Sequence, residues 1–159
     1  MEEIFNEIKK FNFKKELIYE FIKDIKDPEK DCSIEELDLI NEDWINISMN
    51  NNRSSYTTIK IEWKPTSKNC SLAVNIGLSI RYKLEKEINM LKENLKNSKF
   101  KYDNSSFRYK IDIRLQKGSH NTETEINKQL NDKERYRAAL ENPQILEYIK
   151  NLTDEKSYN

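Results

Sequence analysis

Only two glycines and three prolines occur in 159 residues. The fold is therefore expected to use few tight left-handed turns, and Gly77 and Gly118 each carry more meaning than a glycine usually does. There are two cysteines, Cys32 and Cys70, and one histidine, His120. No CxxC pair, no HExxH and no glycine-rich phosphate loop occurs, which removes the commonest zinc, redox and nucleotide motifs. The 28 basic and 28 acidic residues cancel, so no net cationic surplus speaks for nucleic acid as a partner. No apolar run approaches the length of a membrane span. Met1 to Lys10 is charged and lacks the apolar stretch of a secretory leader. A cytoplasmic chain with two free thiols is the expectation.

The second scarcity is in core formers. Hydrophobic residues make up 36% and charged residues 35% of the chain, which predicts one modest core with much solvated surface. The length fits one domain with added sequence at its ends or in loops. Leu17, Ile18, Phe21, Ile22 and Ile25 recur at helical spacing, predicting a helix over about 15–25. Asp27-Pro28 ends it. Ser33-Ile34-Glu35-Glu36 reads as a capping box opening a short second helix.

Three segments alternate with period two: Ile45/Ile47/Met49, Ile59/Ile61/Trp63, and Tyr109/Ile111/Ile113/Leu115. Each offers one apolar face, as strands of a sheet covered on one side do. Turn formers from Asn50 to Ser55 make the first two a hairpin. A long helix, marked by Ala73, Ile76, Gly77, Ile80, Leu84, Ile88, Leu91 and Leu95, separates the second strand from the third. The Asn/Lys/Ser-rich 96–106 stretch reads as a loop. After the third strand come Gly118-Ser119-His120, a helix opened by Thr122 with Glu125 as its box partner, a further helical stretch over about 132–140, and a last helix capped by Asn142 with Pro143 at its first position.

Among residues that can carry chemistry, Cys70 stands first. Asn69 is a good N-cap, which would set Cys70 in the first helical turn, where the helix dipole and free N–H groups favour a thiolate. The plain alternative is a small buried residue packing the helix start. His120 lies between a strand and a helix, with Glu123 and Glu125 following. It can be half of a metal site, a general base, or a loop histidine bonded to the helix start. Cys70 and His120 each follow a strand and lead into a helix. If the two strands are parallel neighbours, the residues meet at one end of the sheet. The run 131–135 is most simply a solvated helix face, and Trp44 and Trp63 read as packing residues.

At this point the chain resembles the cytosolic iron–sulfur assembly component two family, the MIP-eighteen family. The likeness rests on Ile25-Lys26-Asp27-Pro28-Glu29 with Ser33-Ile34-Glu35-Glu36-Leu37, on 65–73 around Cys70, on Ile76-Gly77-Leu78-Ser79-Ile80, and on Gly118-Ser119-His120 with 126–135 and 138–142. In family order these span about 19–152. The resemblance implies a two-layer α+β domain in which a three-stranded sheet, a hairpin plus a strand after a long helix, packs against helices. It implies an adaptor, not an enzyme, that helps hand iron–sulfur clusters to cytosolic and nuclear apoproteins. The implied partners are a WD40 propeller subunit, a HEAT-repeat adaptor and the client apoproteins, with a homodimer as a further form, and without direct nucleic-acid or membrane contact. No permanently bound cofactor is implied; a transient iron–sulfur cluster or a divalent metal is.

The family's hallmark cysteine falls on Cys70 and its glycine-threonine-histidine turn on Gly118-Ser119-His120. Where the family often has histidines, this chain has Asn69 and Thr124, which weakens any metal site that depends on them. The expected organisation is an N-terminal extension (1–14), one domain (15–152) with an insertion at about 85–107, and a disordered tail (153–159). The site expected from all this comprises Cys70 as the reactive or cluster-related thiol and His120 and Glu123 as metal candidates. Its partner-binding surface would be formed by Asn127, Lys128, Gln129, Asp132, Lys133, Glu134 and Arg135. The rival readings are a thiol-dependent enzyme using Cys70 and His120, and a purely structural interaction module.

Overall fold

A computed structural model describes residues 12–50, 56–97 and 108–153. Two periodicities build it. Runs of period two form β1 (Ile45–Asn50), β2 (Tyr56–Trp63) and β3 (Tyr109–Leu115), and runs of period 3.6 form α1 (Lys15–Ile22), α2 (Ala73–Lys96), α3 (Glu123–Asn131), α4 (Lys133–Glu141) and α5 (Pro143–Thr153). The strands make one sheet in the order β1-β2-β3. β1 pairs antiparallel with β2, Ile45 opposite Ile61, as a hairpin requires. β2 pairs parallel with β3, Ile59 opposite Ile111 and Trp63 opposite Leu115. A parallel pair needs a long crossover, and α2 supplies it. The result is the expected α+β architecture.

Alternation decides which face of the sheet is dry. Ile59, Ile61 and Trp63 of β2 are fully buried, and Ile111, Ile113 and Leu115 of β3 nearly so. Against them lie Ile18 and Ile22 of α1, Ile76, Ile80, Leu84 and Ile88 of α2, and Ile149 of α5. Each fully buried aliphatic side chain contributes roughly 1.5–3 kcal/mol, so this one cluster holds the layers together. The opposite face carries partly exposed Tyr56, Thr58, Lys60 and Glu62.

Several local expectations needed correction. α1 stops at Ile22; Ile25 still enters the core at 1% exposure, from a turn. The segment after Ser33 is a series of hydrogen-bonded turns and not a helix, with Asp38 in a left-handed conformation (φ 56°). Half of the expected box is present, since the Glu36 amide donates to Ser33 Oγ at 3.1 Å. Asp27 does not end the helix, which has already stopped; instead its Oδ1 accepts from the Glu29 and Lys30 amides at 2.8 and 3.1 Å. Phe13, placed by pattern in the extension, is buried and meets the Tyr109 ring edge-on at 6.0 Å. Thr153, placed in the tail, ends α5 with its hydroxyl donating to the Ile149 carbonyl at 3.0 Å. Asn142 caps α5 as expected, accepting from the Gln144 amide at 3.0 Å. The 51–55 turn, the 98–107 stretch that holds most of the expected loop, and 154–159 lie outside the described residues.

Candidate functional site

The two parallel strands end side by side, and the loops that leave them are stitched together. The β2 loop carries Lys68, Asn69 and Cys70 toward α2. The β3 loop carries Gly118, Ser119 and His120 toward α3. Gly118 has φ +81°, and the Ser119 amide donates to the Gln116 carbonyl at 3.0 Å. That places a positive φ at the third position of a β-turn, where glycine is favoured. The Gly118 amide in turn donates to Glu123 Oε2 at 2.7 Å. The acidic residue of the first helical turn thus holds the loop that precedes it.

His120 points across to the other loop. The Thr122 amide donates to His120 Nδ1 at 3.0 Å. A backbone N–H can only donate, so Nδ1 carries the lone pair and the ring proton of the neutral imidazole sits on Nε2. Nε2 then donates to the Cys70 carbonyl at 2.9 Å. Two more bonds join the loops: the Asn121 amide donates to the Lys68 carbonyl at 3.0 Å, and the Asn121 side-chain amide donates to Asn69 Oδ1. The expected meeting of Cys70 and His120 is therefore present, but as a ring-to-backbone contact.

This geometry revises two roles. α2 begins at Ala73 with Leu72 in the N-cap position and no side-chain cap. Asn69 is not the cap, and Cys70 sits in the turn ahead of the helix, its amide donating to the Ser67 carbonyl at 3.2 Å. It is 5% exposed and belongs to the hydrophobic cluster. It is also a free thiol, as is the less buried Cys32. Thr122 likewise does not cap α3 with its side chain; its hydroxyl lies 3.1 Å from His120 Nδ1. Both His120 nitrogens and one Glu123 oxygen are thus committed to protein groups. Among the described residues no cluster of three His, Cys, Asp or Glu is placed to hold a metal ion. The residues here do not fit a resident metal.

The proposed partner surface divides in two. Asn127 and Asn131, one helical turn apart on α3, face the outer edge of β3. Asn127 Oδ1 accepts from the Leu115 amide at 2.8 Å. Asn131 accepts from the Ile113 amide at 3.0 Å and donates to the Ile113 carbonyl at 2.9 Å. Side-chain amides thus stand in for a missing fourth strand, so Asn127 is structural. Asp132 is exposed but already serves the fold, capping α4 by accepting from the Glu134 and Arg135 amides. Arg135 pairs with Glu125 at 3.3 Å and Asp132 at 3.7 Å, all substantially exposed. Lys128, Lys133 and Glu134 remain on the exposed side, with Gln129 partly covered.

Sequence reasoning missed Arg81, which interrupts the apolar stripe of α2 one turn after Gly77. It is 6% exposed. Its Nη1 donates to the Leu130 carbonyl at 2.9 Å, its Nε reaches Glu85 at 3.3 Å, and its guanidinium lies 4.8 Å from the centre of the Tyr136 ring. A charged residue inside an apolar helical stripe was the available signal. Gly77 belongs to the same contact, because a Cβ there would fall 2.5 Å from Leu130 Cδ1. Two surface hollows lie elsewhere. One of about 540 Å³ runs beside Phe13, Ile45, Ile47 and Met49, and one of about 560 Å³ lies between Tyr82, Met90, Tyr136 and Leu140.

The arrangement defines a class: a small α+β domain whose distinctive feature is a polar junction between two strand-to-helix loops. No family profile matches the chain. Curated proteins do. The chain is 41% identical over 155 aligned residues to the MIP18 family protein FAM96A of Dictyostelium discoideum, covering 89% of this chain and 92% of that one. It is 42% identical to the MIP18 family protein galla-1 of Drosophila melanogaster over 89% of its own length, while spanning 57% of galla-1. It is 33% identical to the mouse cytosolic iron-sulfur assembly component 2B, covering 88% of this chain and 72% of that protein. The chain belongs to the MIP18 family. No helix of the described residues is long and apolar enough to cross a membrane.

Proposed function

We propose that this chain is a non-catalytic adaptor of cytosolic iron–sulfur cluster assembly, which helps bring clusters to cytosolic and nuclear apoproteins. The observation that carries the reading is the family match, which extends over 88% of the chain to a mouse relative named for that process. The cluster is cargo, passed on and not kept. That agrees with a junction whose nitrogen and carboxylate donors are already committed to the protein's own hydrogen bonds. The junction also speaks against a thiol enzyme with His120 as base, because the imidazole proton is directed at the Cys70 carbonyl and not at its sulfur.

The adaptor works by recognition. The exposed side of α3 and α4, with Lys128, Lys133 and Glu134, is the surface offered to a partner, and the WD40 propeller and the HEAT-repeat subunit are the partners to look for. Cys70 is the thiol that meets the cluster or a contact the complex needs. A second reading, in which Cys70 only packs the start of α2, is favoured by its 5% exposure. Affinity capture of the tagged chain from its native cytosol tests the first reading. Recovery of both a propeller and a HEAT-repeat protein is the expected result; a folded chain that recovers neither overturns it. Cys70→Ser separates the two thiol readings, since client maturation should fall if the thiol takes part and stay intact if it only packs.

A further inference from the structure

A thiol that meets a cluster must reach solvent, yet Cys70 is 5% exposed and packed in the core cluster. The turn that carries it is held from outside by the neighbouring loop. Three bonds do this: His120 Nε2 to the Cys70 carbonyl, the Asn121 amide to the Lys68 carbonyl, and the Asn121 side chain to Asn69. His120 is itself fixed in one tautomer by Thr122. All three bonds land on 68–70 and none on α2, so they can break without disturbing the helix or the sheet. The closed junction is also incompletely satisfied. The Ser119 hydroxyl is buried with no partner among the described residues, which favours release of the loop.

From this geometry we propose that the 118–122 loop is a latch over the Cys70 turn, and that His120 is a positioning residue for the thiol. The claim rests on the reading of Cys70 as the working thiol and adds how access to it is regulated. The latch opens locally, with β2, β3 and α2 in place, and the thiol is presented during that opening. Local openings of this kind occur well below the free energy of global unfolding.

The experiment is thiol labelling of the full chain in a Cys32→Ser background, using 5,5′-dithiobis(2-nitrobenzoate) across the low-urea baseline. A local opening labels Cys70 at a rate nearly independent of urea, whereas a global one follows the urea dependence of unfolding. His120→Ala should raise the rate about three- to tenfold, the loss of roughly one hydrogen bond, with the urea midpoint little changed. His120→Gln, which restores a donor near the Nε2 position, should return the rate toward that of the parent. If His120→Ala does not fold, Asn121→Ala, which removes only the side-chain bond, should show the same acceleration to a smaller degree. A parent rate that tracks global unfolding, or variants that label no faster, overturns the latch. The outcome is independent of partner capture and of client maturation, so failure of the latch and failure of the adaptor reading can be told apart.

Discussion

The two edges of the sheet are finished in different ways. On β3, the Ile113 and Leu115 amides and the Ile113 carbonyl meet the side chains of Asn127 and Asn131. On β1, no described strand pairs with the outer edge, and Met49 is 54% exposed. One edge is closed by polar side chains on a helix, and the other ends in uncharged residues beside a shallow hollow. The lesson concerns how polarity is read. A polar run on a helix can be an internal part when it faces backbone that would otherwise lack partners, while an apolar residue can be the one left at the surface.

The largest expected effect breaks the closed edge. Asn127→Ala with Asn131→Ala strips the partners from two amides and a carbonyl that α3 covers. A covered polar group left without a partner costs about 1–3 kcal/mol, so the pair should destabilise the chain by about 3 kcal/mol, read from the urea midpoint. Ser48→Ala on β1 should shift stability by less than about 0.5 kcal/mol, as ordinary surface changes do. Equal effects at the two edges would erase the distinction.

The next effect tests how α3 is held against α2, since that contact sets the register of the two asparagines. Gly77→Ala drives a methyl to 2.5 Å from Leu130 Cδ1, and Leu130 is fully buried and cannot simply swing away. Overpacking costs about 1–3 kcal/mol, and the gain in helix propensity returns about 1 kcal/mol. A net loss of about 1 kcal/mol is expected. Adding Leu130→Ala should abolish the penalty of the Gly77 change within a double-mutant cycle. If Gly77→Ala costs the same in both backgrounds, the close approach is not what selects glycine.

Much of this architecture could be read before folding was considered. Period-two runs gave three strands near their observed places, and the 3.6 period gave α2 through Leu95 and α5 with its Asn142 cap. The meeting of the Cys70 and His120 loops depended on β2 and β3 being parallel neighbours, which they are. What stayed illegible depends on tertiary partners. Nothing in Asn127 or Asn131 alone says that a strand edge lies opposite, so their polarity was read as solvent exposure. The Asn69-Cys70 pair carried a capping signal, but two further residues, Ser71 and Leu72, lie in a turn before α2 begins. Arg81 was hidden inside an apolar stripe because its burial depends on the Leu130 carbonyl, Glu85 and the Tyr136 ring together.

A smaller effect appears at alkaline pH, on the side of the molecule that carries α4. Burial first, then the nearby Glu85 carboxylate, pushes Tyr136 well above the ordinary tyrosine value. Tyr19 is pushed up to about 12, by burial and then by its hydrogen bond with Glu35. Burial raises Tyr109 and Tyr148 as well. A raised folded-state value means stability that is complete below about pH 10 and lost as pH rises through the folded values, because the unfolded chain releases its protons first. Tyr136, the most buried of the four, forfeits about 1 kcal/mol between pH 10 and 11. Tyr136→Phe should therefore flatten the alkaline limb of a stability–pH curve. An unchanged limb would show that the Tyr136 environment contributes nothing to it.

The smallest stability effect sharpens the comparison from the exposed side of the same helices. Lys128 of α3 and Lys133 of α4 are both exposed, and replacing solvated residues shifts stability by no more than about 0.5 kcal/mol. Lys128→Ala with Lys133→Ala should accordingly leave the urea midpoint where it was. If this face is the partner surface, the same pair should lower the amount of propeller and HEAT-repeat protein captured from cytosol, and more strongly at low salt, where charge contacts at a rim act over longer distances. Undiminished capture at every salt concentration would move the partner surface off α3 and α4, leaving α3 with its inner role alone: closing the edge of β3.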